Sequence, residues 1–141
     1  MYLPDINVWV ALTFHAHRHH VSARAWFDNA PEDRIRYFCR DTQKGFLRIS
    51  NSKSVFPHAA LTKTQAWQQY DDYMLDPRIA YTFEPATVET IWRQLMRGKQ
   101  YSPNVWNDAY LAAFAIAGGY ELVTFDQGLK QFPGLSCAIL S

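Results

Sequence analysis

Five short runs rich in aromatic and apolar residues recur along the chain, and the stretches between them carry apolar residues at helical spacing. The runs are Tyr2-Leu3-Pro4, Ile35-Arg36-Tyr37-Phe38-Cys39, Ile79 to Phe83, Glu121-Leu122-Val123-Thr124-Phe125 and Leu135 to Leu140. Strands that alternate with helices are joined by crossovers, and crossovers bring strands side by side in parallel. The expected fold is therefore α/β, with a central, mostly parallel sheet covered by helices on both faces. In such a sheet the carboxyl ends of the strands share one edge, which is where ligands bind.

The intervening stretches read as follows. Val8, Trp9, Ala11 and Leu12 place a helix over Asn7 to Phe14, and Val21, Ala25 and Trp26 a second over His17 to Asn29. Asp41 to Ser50 reads as a helix, Ser50 to Leu61 as a polar loop, Thr64 to Leu75 as a helix ending before Asp76-Pro77, and Pro85 to Leu95 as another. The linker from Arg97 to Pro103 leads to Val105–Ala117, whose Ala109, Ala112, Ala113 and Ala117 form a small-residue face. Gly118-Gly119 stops that helix, and Asp126 to Leu129 makes a turn of helix before the last strand. Pro4 has no N–H, so the first strand is short and its pairing tolerates a missing donor. With 141 residues, 48% hydrophobic, and no repeat or low-complexity tract, one domain over residues 1–141 is expected.

No run of roughly 18 apolar residues is present to span a bilayer. The N-terminus lacks a basic region followed by a long apolar one, so a soluble cytoplasmic protein is expected, away from membranes. Cys39 and Cys137 lie in apolar, strand-like surroundings and read as buried reduced thiols.

Three acids fall where the strands should end. Asp5 follows the first strand, Asp126 follows Leu122 to Phe125, and Asp108 lies in the first turns of the Ala-rich helix. Each has a structural reading: Asp5 as a helix N-cap, Asp126 as a cap of the short helix after it, Asp108 as a partner of its helix dipole. Together at one rim they would repel, and a hard divalent cation, Mg²⁺ or its substitute Mn²⁺, offsets that repulsion. Capping and ligation are compatible, because a carboxylate has lone pairs enough for both.

The order of these stretches resembles the PIN-domain ribonucleases, and within them the toxins of VapBC toxin–antitoxin modules. The matching segments are Leu3-Pro4-Asp5-Ile6-Asn7-Val8-Trp9, Thr42-Gln43-Lys44-Gly45-Phe46-Leu47-Arg48, Asn107-Asp108-Ala109-Tyr110-Leu111-Ala112-Ala113 and Leu122-Val123-Thr124-Phe125-Asp126. The resemblance implies a PIN-like domain acting as a magnesium-dependent endoribonuclease on RNA, restrained by a cognate antitoxin, with homodimer formation favoured. It places the catalytic and metal-binding acids on Asp5, Asp108 and Asp126, with Asn7 and Thr124 in support. Many PIN domains carry a Glu near the position of Gly45. Asp41, one turn earlier on roughly the same helical face, either supplies that carboxylate or caps its helix. The missing Glu leaves a second reading open, a weak or inactive PIN-like module that binds RNA or protein. A third, a receiver-like domain phosphorylated on a strand-end Asp, lacks a suitably placed Lys beside Thr124.

Fourteen Lys and Arg against thirteen Asp and Glu give a net charge of +1, but the distribution is uneven. Arg34, Arg36, Arg40, Lys44, Arg48 and Lys53 crowd one stretch with Asp41 as its only acid. Arg40, Lys44 and Arg48, spaced i, i+4, i+8, form a stripe suited to RNA phosphate or to a solvated face. Phe14-His15-Ala16-His17-Arg18-His19-His20 lacks a Cys or acid to complete a zinc site and reads as a polar loop between helices. Trp67, Tyr70 and Tyr73 read as core or partner interface.

Overall fold

The computed structural model describes residues 1–98 and 102–141; residues 99–101 of the expected linker lie outside the described residues. In chain order the elements are β1 (Tyr2–Pro4), α1 (Ile6–Thr13), α2 (His20–Asn29), β2 (Arg36–Phe38), α3 (Arg40–Ser50), α4 (Lys63–Leu75), β3 (Ile79–Tyr81), α5 (Val88–Leu95), α6 (Asn104–Gly118), β4 (Glu121–Thr124) and β5 (Cys137–Ile139), with a 3₁₀ helix at Gln127–Gln131. The sheet order is β3-β2-β1-β4-β5, and every pairing is parallel. Pro4 pairs in register with Val123, and the chain resumes donation one residue later, from Asp5 N–H to the Val123 carbonyl at 2.8 Å.

Side chains alternate across the sheet and fill two cores. Tyr2, Phe38 and Val123 face α1 to α4, where Trp9 stacks on Phe38 with ring centroids 3.8 Å apart. Leu3, Cys39 and Leu122 face the buried Ala109, Ala112 and Ala113 of α6, with Val88 of α5 and Leu129 of the 3₁₀ helix. Gly119, with φ of 70°, ends α6 in the left-handed conformation that a residue without Cβ adopts freely. Gly45 sets the approach of α3 to α1, because a Cβ there would collide with the Ile6 side chain.

Several expectations are corrected. The second helix starts at His20, since residues 15–19 form turns. The fourth starts at Lys63, where Thr62 and Gln65 bond reciprocally across its first turn. The fifth starts at Val88, and the sixth runs a residue further at each end. The described sheet is entirely parallel. Cys137 is half-buried, because β5 is an edge strand; it and the buried Cys39 are free thiols. Tyr70 is buried and Tyr73 half-buried in the first core, while Trp67 is exposed.

The basic stretch divides. Arg36 is fully buried. Its Nη2 donates to the carbonyls of Phe27 at 2.7 Å and Ala30 at 2.9 Å, and Nη1 to those of Pro31 and Arg34 at 3.0 Å, closing the end of α2. Arg34 bonds the Tyr2 hydroxyl and Glu121. Arg36 is therefore unavailable to a phosphate, and Arg34 is engaged at the sheet edge. Arg36→Met should lower stability by about 3 kcal/mol, because buried carbonyls lose their donors; an unchanged urea midpoint would refute that role.

Candidate active site

Asp5 occupies the junction between β1 and α1. Its Oδ1 accepts from the Ile6 N–H at 2.7 Å, so the capping reading holds. Its Oδ2 accepts from the Thr124 hydroxyl at 2.7 Å and from Asn7 Nδ2 at 3.1 Å. Thr124, fully buried at the end of β4, is the hub: its oxygen also accepts from Asn7 Nδ2 and from the Asp126 N–H at 3.0 Å. Asn7 Oδ1 takes the Phe125 N–H at 3.2 Å. These bonds tie the start of α1 to the end of β4 and bring Asp5 and Asp126 to one rim. Asp126 also caps the 3₁₀ helix, accepting from the Gly128 N–H at 2.8 Å.

Asp108 joins them electrostatically. Burial raises the Asp5 carboxyl to about 6, with the charges of Asp108 and Asp126 pushing the same way against the Thr124 and Ile6 hydrogen bonds. Burial, then Asp126, raises Asp108 above the usual carboxylate range. Asp108 is the fifth residue of α6, beyond the free amides of the first turn, so the helix dipole explains little of its placement. Among the described residues no three His, Cys, Asp or Glu side chains gather tightly enough to cage an ion by themselves.

Asp41 lies beside Asn107, the residue before Asp108. Burial raises its carboxyl, while Asn107 and the nearby Lys44 and Arg48 lower it. It does not cap α3: Thr42 does, accepting from the Cys39 N–H at 3.0 Å. Its Oδ2 is buried without a hydrogen-bond partner. Gly45 packs against Ile6 next to Asp5, so the space beside it is filled by apolar packing. Arg40, Lys44 and Arg48 are exposed on α3, Arg40 bonding Gln43 and lying 5.2 Å from the Tyr81 ring centre.

Sequence reasoning missed Asn107 as the neighbour of Asp41, and it missed Phe125, which lies under the ring of His19. A polar Asn before an acid in an otherwise apolar helix was the available signal for the first. The histidine segment does not converge on a point: His15 stacks on His20, and His20 Nδ1 bonds the Ala11 carbonyl at 2.8 Å. Thr124→Val removes the hub hydroxyl while keeping the shape, and should weaken the binding of a divalent cation that the strand-end acids would hold by about 10- to 100-fold. Calorimetric titration with Mn²⁺ checks this; unchanged affinity would make Thr124 purely structural.

Comparison with known proteins follows the same lines. The family model described as PIN domain matches residues 2–135. Ribonuclease VapC41 of Mycobacterium tuberculosis is 39% identical over 145 residues, covering 100% of this chain and 99% of that protein. Ribonuclease VapC44 of the same organism is 33% identical over 138 residues, covering 94% and 92%. The solved structure of VapBC2 from Rickettsia felis, bound to a DNA fragment from their promoter, superposes with a TM-score of 0.73 at 18% identity, covering 99% of this chain and 98% of that one. No described helix is long and apolar enough to cross a membrane.

Proposed function

Because the chain belongs to the PIN-domain family, we propose that it is a magnesium-dependent endoribonuclease, the toxin of a VapBC-type module held in check by a cognate antitoxin. The observation that carries this reading is the Asp5–Asn7–Thr124–Asp126 network, which fixes two acids at one sheet edge within electrostatic reach of Asp108. The full-length relatives named as VapC ribonucleases support RNA as substrate, and the VapBC2 fold neighbour supports an antitoxin partner.

The donor set fits Mg²⁺. It consists of hard carboxylate oxygens, and Mg²⁺ keeps several waters and binds through one or two carboxylates. Asp5 and Asp108 would hold the ion directly, Asp126 directly or through water, and the orphan oxygen of Asp41 would offer a further carboxylate on the α6 side. When bound, the ion activates water and offsets the charge that builds on the phosphate and the leaving oxygen. Asn7 and Thr124 orient Asp5, and Arg40, Lys44 and Arg48 hold the RNA backbone.

Cleavage of a structured RNA in Mg²⁺, abolished by EDTA and by Asp108→Asn, is the expected result. Undiminished cleavage in EDTA would overturn the metal dependence. RNA binding without cleavage would favour the inactive-module reading, which the packing at Gly45 keeps in play. Size measurement with and without a co-expressed antitoxin tests the partner and the expected homodimer.

A further inference from the structure

We propose that the His17-Arg18-His19 loop between α1 and α2 is a second phosphate-binding arm of the active site, holding the RNA backbone beside the cleaved bond. The inference rests on the ribonuclease reading above. Its ground is placement: the His19 ring stacks on Phe125, centroids 4.3 Å apart and planes within 13°. Phe125 lies between Thr124 and Asp126, and its N–H is held by Asn7. The loop is therefore seated on the strand end that presents Asp126, and Asn7, which holds the Phe125 N–H, also bonds Asp5.

The loop is also held in shape. The His17 N–H donates to the Phe14 carbonyl and the His20 N–H to the His17 carbonyl, each at 2.9 Å, and the His19 N–H donates to His17 Nδ1 at 3.1 Å. On the far side His20 is fixed to Ala11 and stacked on His15. A turn built this way fixes the loop backbone and the rings of His17 and His19 and leaves Arg18 at its exposed crest.

Among the described residues its charge has no ion-pair partner. No Asp or Glu occurs between Asp5 and Asp28, a span that contains four His, Arg18 and Arg24. Arg24 pairs with Asp28 at 2.9 Å, whereas Arg18 is exposed and has no ion pair among the described residues. An RNA strand approaching three carboxylates meets repulsion, which fixed cationic or hydrogen-bond-donating groups at the rim offset. The α3 stripe and this loop lie on different parts of the chain, so they give the backbone separate holds.

The test uses the full chain carrying Arg18→Ala with His19→Phe; the second change keeps a ring against Phe125 but removes both ring nitrogens. Binding of a fluorescein-labelled single-stranded RNA 20-mer of mixed sequence is followed by anisotropy across salt concentrations, alongside cleavage kinetics and Mn²⁺ titration. The expected result is RNA affinity down about 5- to 10-fold and KM raised with kcat little changed. The salt slope should also be shallower by about 0.7 for each phosphate that the loop no longer neutralises, with Mn²⁺ affinity and thermal midpoint retained. Wild-type RNA affinity and salt slope in the variant would overturn the arm while leaving the ribonuclease reading intact. A wild-type protein that binds RNA without cutting it, and loses that binding in the variant, would keep the arm and overturn the ribonuclease reading. Loss of antitoxin binding alone, with RNA binding unchanged, would reassign the loop to a protein partner and overturn the proposal.

Discussion

Asp5→Asn should reduce RNA cleavage by more than about 100-fold while the protein stays folded, a larger loss than removal of a supporting hydrogen bond gives. The substitution is close to isosteric, and the amide oxygen still accepts from the Ile6 N–H that the carboxylate now caps. It removes the negative charge that would bind a cation, and it replaces the oxygen that accepts from Thr124 and Asn7 with an amide NH₂. A residue needed only as a cap would behave differently, costing about 1 kcal/mol of stability and leaving cleavage by the folded fraction unchanged. Urea unfolding in EDTA and cleavage in Mg²⁺, measured on the same preparation, separate the two roles. Cleavage that falls only as far as the folded population falls would assign Asp5 to structure.

The second large effect is an inverted pH dependence of stability in the metal-free protein. Burial holds the Asp5 carboxyl at about 6, above its unfolded value, so the native state binds its proton more tightly than the unfolded chain does. Such a group contributes stability that is fully present below the unfolded pKa and is lost as pH rises through the folded pKa. Asp108, also raised, acts in the same direction. In EDTA the thermal midpoint should therefore be higher near pH 5 than at pH 7.5, with Asp5 accounting for on the order of 2 kcal/mol. On the proposed reading Mg²⁺ would bind the ionised site, and it should restore the midpoint at pH 7.5 while doing little at pH 5. Asp5→Asn should flatten both responses. A midpoint in EDTA that rises from pH 5 to pH 7.5, with no shift on adding Mg²⁺, would contradict the assignment.

The parts legible in the sequence were those governed by short-range pattern. The period of Val8, Trp9, Ala11 and Leu12, the alternation along Glu121 to Phe125 and the Gly118-Gly119 stop fixed the elements and, through the strand ends, the shared edge of Asp5 and Asp126. Helix starts were less legible. His17 to His19 carry a helical apolar pattern downstream but are held in turns by Phe14 and by the His17 ring, interactions that spacing does not encode. Burial across the chain was also hidden: Arg36 reads as one more cation in a basic run, yet it closes α2 from inside the protein. At the candidate site, sequence suggested which acids meet but left unresolved the Thr124 hub, the Asn107 neighbour of Asp41 and the Ile6 side chain that fills the space at Gly45. Each depends on residues tens of positions apart.

The central claim is that the strand-end acids form one divalent-cation site, and Mn²⁺ titration of the wild-type chain and of Asp5→Asn and Asp108→Asn at pH 7.5 tests it most directly. The account predicts saturable binding by the wild type, with affinity falling about 100-fold or more in each variant while the fold persists. Wild-type affinity in both variants would contradict it.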